Sequence, residues 1–509
     1  ALEGAQAKGV FDARGELVDM VVKFQPDWPA AERLNGTARF HNDGFTVDGA
    51  AELSGVPATG LHAALPHYSR ARLAIRAATD AEGAKVLALL RASPLHAKHG
   101  EALDNLSVDG RVAATFAMDL PLDDDLRTVP AISGEVQLHG AMLAEQRWKL
   151  AFDDVRGTVR YDRHGFTADG LSAVREARPA SVSLRAGDRH VRDGAHAFEA
   201  DIDAMLPASD LLAQAPELDW LAPHVRGSSR WTLGLAVLQA PRAGVAGQTR
   251  LQLRSNLVGT TLDLPQPLRK PATEPLATTV QTTFPLEGGE VAVGFGQRLA
   301  LRARERNGRT GVRVVLGTST VGEAPPESGL VATGRTPTLD AIDWATLATG
   351  GEGEGLALRG IDVTADRLHL LGSQFPHTRV LAAPDDDGVR VTFEGPALAG
   401  RVQLPGDRAA PVVARLQRMH WASVAPLANA ASAPRATPLV MATEDDIDPA
   451  AIPPLRIEVD DLRFGALALG KASLHTQPTA AGLQIERLQA RSDTQRIDAS
   501  GAWSGRGAA

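Results

Sequence analysis

Apolar and polar residues alternate with period two along most of the chain. Val389, Val391 and Phe393 alternate with Arg390, Thr392 and Glu394, and Leu251 and Leu253 alternate with Arg250, Gln252 and Arg254. Trp231, Leu233, Leu235 and Val237 follow the same rule, as do Val291, Val293 and Phe295, then Val312, Val314 and Leu316, and finally Ile457 and Val459. Successive side chains of a strand point to opposite faces, so each segment predicts a strand with one apolar and one wet face. Gly, Asp-Gly and Pro punctuation between the segments favours antiparallel hairpins.

Helical spacing is confined to short pieces. Asp80–Leu90 carries an apolar cluster before Pro94, and Pro207–Val225 reads as two short helices broken at Pro216, with Ser209 as N-cap. In that second piece Leu211, Leu212 and Leu218 are expected to pack onto sheet-edge or groove residues. Leu339–Leu347 and Trp421–Ala430 are weaker helical patterns. None is long enough to supply the crossovers of a parallel sheet, which argues against a doubly wound α/β fold.

The chain also repeats itself. Leu34–Gly49 (LNGTARFHNDGFTVDG) and Val155–Gly170 (VRGTVRYDRHGFTADG) share Gly36/Gly157, Gly44/Gly165, Phe45/Phe166 and Gly49/Gly170 among other positions, a strand–turn–strand unit used twice. Prolines break the pattern at Pro265–Pro275, which cannot sit in a central strand because each Pro lacks a ladder donor. The expected division is residues 1–205, a β segment with echoing hairpins; 206–433, a β segment opened by short helices; 434–454, a Pro-rich acidic linker; and 455–509, a continuing β segment. The sequence starts and stops in mid-pattern, as a piece of something longer does.

Composition narrows the chemistry. Lys and Arg total 53 against 61 Asp and Glu, a net charge of −8 without a basic field to hold a phosphate backbone, so nucleic acid is not an expected partner. Cysteine is absent, which removes disulfides, thiolate metal sites and thiol catalysis. No run of 18 apolar residues predicts a transmembrane helix. His62, His67, His96 and His99 lack the spacing of a metal site and read as solvated loop residues. Asp123–Asp125, Asp385–Asp387 and Glu444–Asp446 lack the order of a calcium loop and read as solvated turns. Gly350–Gly355 has no lysine and no strand-to-helix setting for phosphates, and there is no nucleophile elbow. No catalytic residue, metal or cofactor is expected.

Many strands with one apolar face must bury it by closing into a barrel, by pairing into sandwiches, or by curling into a trough around something apolar. With two Tyr and seven Trp, aromatic girdles for a membrane barrel are lacking. The choice between sandwich and trough turns on a resemblance. The segment Leu257–Leu276, with its run Leu264-Pro265-Gln266-Pro267-Leu268-Arg269-Lys270-Pro271-Ala272-Thr273-Glu274-Pro275-Leu276, resembles the AsmA-like family of large periplasmic proteins of Gram-negative bacteria. So do Trp28-Pro29 with Phe45–Leu61, the Gly372–Pro405 run, Pro453–Phe464, and the ending Gly501-Ala502-Trp503, in the family's order.

The resemblance implies a mainly β fold: an elongated, curled antiparallel sheet forming a repeating β-groove, with a few short helices. It implies a periplasmic bridge carrying phospholipid acyl chains between inner and outer membranes and supporting the outer-membrane permeability barrier. It also implies anchoring to the inner membrane by an N-terminal helix this sequence lacks, and outer-membrane or envelope-protein partners at the far end. Alternation selects Trp231, Leu233, Leu251, Leu253, Val291, Val293, Phe295, Val389, Val391 and Phe393 as candidate groove residues, with the identity of the groove face left open. The alternative is a periplasmic scaffold of stacked β units binding envelope proteins. An enzyme acting on envelope polysaccharide is a third reading and predicts an aromatic-lined acidic cleft.

Overall fold

A computed structural model describes residues 10–23, 27–70, 72–122, 131–146, 150–213, 221–239, 247–284, 289–349, 356–407, 409–421, 449 and 452–504. Among them are 29 strands and four short α-helices. The chain forms two compact units, residues Ala1–Leu206 with Arg230–Arg254 and residues Pro207–Ser229 with Ser255–Ala509. The linker expected at 434–454 lies almost wholly outside the described residues, as do Asp123–Asp125, Gly350–Gly355 and Leu218.

In the first unit, β1 (Asp12–Val22), β2 (Ala31–His41), β3 (Gly44–Leu53), β4 (Val56–Leu65) and β5 (Arg72–Glu82) pair in sequence, all antiparallel. The helices α1 (Gly83–Arg91) and α2 (Leu95–Asn105) and the short β6 (Leu106–Asp109) interrupt the meander. It resumes with β7 (Arg111–Pro121), β8 (Ala131–Glu145), β9 (Leu150–Asp162), β10 (Gly165–Arg175), β11 (Arg178–Ala186) and β12 (His196–Pro207). Its last strands are β13 (Val225–Leu238), from Arg230 on, and β14 (Thr249–Ser255), while α3 (Ala208–Leu212), which precedes β13 in the chain, belongs to the second unit.

The apolar face of this unit holds Val112, Leu138, Phe152, Val155, Leu171 and Val182, with Val86 of α1 and Val108 of β6 packed over it. Four ladder steps separate β2 from β7, about 19 Å in a flat sheet. Yet Trp28, just before β2, meets Phe116 of β7 edge-on with centroids 5.9 Å apart. The curl of the sheet and the loop carrying Trp28 together close that gap.

The second unit contains β15 (Thr260–Leu262), β16 (Thr278–Phe284), β17 (Glu290–Phe295), β18 (Leu299–Arg306), β19 (Arg309–Leu316), β20 (Gly329–Asp340) and α4 (Ala341–Thr349). Then follow β21 (Leu358–Leu370), β22 (Ser373–Asp385), β23 (Gly388–Glu394), β24 (Leu398–Pro405) and β25 (Val412–Trp421). The last are β26 (Leu455–Phe464), β27 (Leu467–Thr479), β28 (Gly482–Arg491) and β29 (Arg496–Ser504). From β16 to β29 each strand pairs with the next. Phe375 of β22 is fully buried and meets Trp421 of β25 at 6.5 Å. Three flat ladder steps would hold them about 14 Å apart, so this sheet also curls.

Several local expectations change. The strand β5 runs to Glu82, because Ala81 is buried in register with Val112, and the helix begins only at Gly83. The cap of α3 is Pro207, with Ser209 inside the helix; Leu211 and Leu212 are half-buried. Trp421 belongs to β25, and α4 begins after β20 has run to Asp340. His96 sits in helix α2, not in a loop. The pairs β19–β20, β20–β21 and β25–β26 are parallel, and α4 lies in the crossover between β20 and β21. A single short helix thus suffices for this crossover, so a shortage of long helices does not exclude parallel pairs.

The repeated hairpins have a physical reason. Both turn through two residues, His41 pairing with Gly44 and Asp162 with Gly165. A Cβ on Gly44 would overlap the Leu65 carbonyl oxygen, and one on Gly165 that of Ala186. The glycine that opens the second strand therefore lets the third approach.

Candidate functional site: an apolar ladder across the second sheet

Register turns the alternation of the second unit into continuous rows. One row passes through Val280, Val293, Leu301, Val314, Ala332 and Ile361, each directly opposite the next on β16–β21. It continues through Ala382, Val391, Val402, Ala414, Ile457, Leu474, Leu488 and Ala499 on β22–β29. Every position is apolar. At about 4.8 Å per strand the row is on the order of 60 Å long, measured along the sheet.

A second row lies beside it: Phe295, Leu299, Leu316, Gly334, Val363 and Val380, then Phe393, Gly400, Leu416, Val459, Ala472 and Ala490. The two rows differ in burial. Leu299, Leu316, Val363, Val380, Phe393, Leu416 and Val459 are all buried. The first row is half-buried, except for the small Ala382 and Ala414, which are buried, and for Leu488 and Ala499, which are exposed. One row is thus a packed floor and the other a rail that still meets solvent.

The opposite face is ionic. Arg379 bridges to Asp362 at 2.7 Å and to Glu394 at 3.4 Å, Arg335 to Asp366 at 2.6 Å, and Arg302 and Arg304 both reach Glu290. The pair with Asp362, by hydrogen bond and charge, holds that carboxyl below its usual range. Exposed pairs of this kind add little stability, but they fix which face is wet.

The proline segment packs against the buried row. Leu264 and Leu268 are buried against Leu299, Leu316 and Val363. Lys270 is the largest fully buried side chain among the described residues, and its Nζ donates to the carbonyls of Leu257 (2.9 Å) and Thr260. Burial pushes this ammonium below its usual range, Glu274 opposing and Arg298 reinforcing the shift. Gln266 donates its N–H to Asp340 (2.9 Å) and accepts from the Trp344 indole (2.8 Å), which ties the segment to β20 and α4.

Of the residues chosen by alternation, Val293 and Val391 lie on the half-buried row, Phe295 and Phe393 on the row beside it, and Val291 and Val389 one position further along their strands on the same face. Trp231 is buried, and Leu233, Leu251 and Leu253 are half-buried in the first unit. The first unit has a shorter row of the same kind, Ala38, Val47, Ala63, Ile75, Met118 and Ile132. Sequence reasoning named Val314 in the alternation without choosing it, and missed Val402 and Leu474 on the rail and the anchoring role of Lys270; only register places them.

The other candidate groups have ordinary partners. His62 pairs with Asp48 (2.7 Å), His67 with Asp43 (3.4 Å), His96 with Asp104 (3.1 Å), and Asp385 with Arg390. Among the described residues no three His, Asp or Glu are grouped to hold a metal ion. No helix among them is long and apolar enough to cross a membrane.

Comparison with known proteins gives one relative and one family. The Escherichia coli (strain K12) intermembrane phospholipid transporter YhdP is 25% identical over 429 residues, covering 81% of this chain and 32% of the relative. The chain therefore spans about a third of the length of the curated relative it matches. No solved structure matches. A family model described as YhdP protein matches residues 4–509, and the chain belongs to that family.

Proposed function

We propose that this chain is a non-catalytic stretch of a lipid conduit, in which phospholipid acyl chains travel along the apolar trough while head groups stay in water. The observation that carries the reading is the uninterrupted row from Val280 to Ala499, half-buried for most of its length beside a buried one. Each acyl methylene removed from water is worth about 0.8 kcal/mol, and a row without polar breaks lets a chain slide without a trap or barrier of comparable size. The mechanism is passive and calls for no nucleotide, metal or covalent intermediate. The intermembrane phospholipid transport named for the E. coli relative supports phospholipid as the cargo.

The finer reading places the chain in the periplasm, as part of a bridge between inner and outer membranes that is anchored to the inner membrane elsewhere in the protein. A photoreactive residue tests the trough directly. With Val314→p-benzoylphenylalanine, irradiation in cells is expected to capture phospholipid, whereas Arg335→p-benzoylphenylalanine on the ionic face is expected to capture none. Equal capture at both positions, or none at either, overturns the reading.

A further inference from the structure

The apolar face of the second sheet carries a further row on the other side of the rail from the floor. It passes through Val291, Ala303, Val312 and Leu330, each opposite the next on β17–β20, and returns as Val389 and Leu404 on β23 and β24. Each of these residues stands two positions from a rail residue of its own strand, so it shares the rail's face. All are half-buried except Leu404, which is exposed. Beyond this row the apolar face ends. Glu305 and Thr310, opposite each other on β18 and β19, are exposed, and β22 turns into β23 through the exposed Asp386 and Asp387. On the other side of the rail stands the buried floor, where Leu264 and Leu268 already cover Leu299 and Leu316. The half-buried strip between floor and polar edge is therefore two residues wide. Its two rows lie about 6.8 Å apart along the strands.

We infer that this strip takes two hydrocarbon chains abreast, so that one lipid lays one acyl chain on the rail and its second chain on the parallel row. This rests on the conduit reading and adds to it the number of chains held side by side. Carbon atoms touch at about 4 Å, so rows about 6.8 Å apart let two chains lie against the protein and against each other without overlap. A third chain is denied on both sides. The floor is occupied by Leu264 and Leu268, and past the parallel row a chain would lie against Glu305 and Asp386, whose carboxylates keep their water. The two-chain lipid is thus the class that fits. A single-chain lysolipid leaves one apolar row against water, and a lipid with more than two chains abreast leaves the surplus outside.

The test combines Val312→p-benzoylphenylalanine with Val314→p-benzoylphenylalanine, one on each row of β19, in the whole chain made in a Gram-negative host. After irradiation in cells, intact mass is read before and after saponification, which cleaves the ester bonds and releases the head group but keeps every cross-linked fatty acid on the protein. The doubly cross-linked species is expected to gain one phospholipid before saponification and to retain two fatty acids after it. One phospholipid before and one fatty acid after means that a single chain passes both positions, which overturns the two-chain arrangement and leaves the conduit standing. Two phospholipids before saponification means that the rows hold separate lipids, which overturns it equally. Capture of no phospholipid overturns the conduit reading as well. The pair Val291→p-benzoylphenylalanine and Val293→p-benzoylphenylalanine on β17 repeats the measurement, so that a folding defect confined to β19 does not decide it.

Discussion

Replacing Val391 by Asp separates a trough from a closed core. Val391 is half-buried in the rail, flanked in register by Ala382 and Val402, whereas Phe393 two residues on is 8% exposed in the floor. Full burial of a valine is worth about 1.5–3 kcal/mol, so a half-buried one contributes roughly 1 kcal/mol. At a wet rail the new carboxylate keeps its water, and the total cost to folding stays near 1–2 kcal/mol, well inside a typical domain stability of about 5–15 kcal/mol. In a closed core the same carboxylate would have no partner, at several kcal/mol.

The consequence for a bound acyl chain is larger. Two or three methylenes held against a hydrated carboxylate forfeit about 2 kcal/mol, which lowers occupancy roughly thirtyfold. Denaturant unfolding together with extraction and quantification of bound phospholipid reads both numbers. The reasoning fails if Val391→Asp unfolds the chain, which would mean a sealed core, or if the folded variant holds as much lipid as the unaltered chain.

Other predictions follow from packing and charge. Phe375→Ala, at a fully buried ring against Trp421, is expected to cost about 3–5 kcal/mol in denaturant unfolding; a loss under 1 kcal/mol would remove it from the core. Gly165→Ala, with φ +150° and the Ala186 carbonyl in the way, is expected to cost about 2–4 kcal/mol, against near zero at the open Gly194. Glu199 supplies a pH test. Burial alone would raise its pKa, but His196 (2.8 Å) and the backbone N–H groups of Arg192 and Asp193 (3.1 Å each) bring it from 4.5 to about 2. A depressed carboxyl pKa stabilises above the unfolded value and is lost as pH falls through the folded one. The stability gap between the unaltered chain and Glu199→Gln, up to about 3 kcal/mol, is thus expected in full above pH 5 and to shrink from there towards pH 2. A gap independent of pH would contradict the assignment.

The strands were legible because a one-sided sheet writes its face into the sequence. Val389, Val391 and Phe393 stand on the apolar side and Arg390 and Glu394 on the ionic side, as alternation requires. Proline chemistry likewise kept Asp263–Ala277 out of the named strands. Helix α2 was not legible, since LHAKHGEALDN spreads few apolar residues among His96, Lys98 and His99. The parallel pairs escaped for a different reason: strand direction is set by where a crossover returns, and alternation is the same either way. The rows themselves depend on register between strands, and no local signal encodes that.

The most direct test of the central claim is native mass spectrometry of this chain purified from a Gram-negative host, with lipid extraction in parallel. The account predicts several phospholipids bound per chain, and fewer when Val391→Asp is introduced into a protein that stays folded. A folded chain that carries no lipid would contradict it, and would favour closed β units acting as an envelope scaffold.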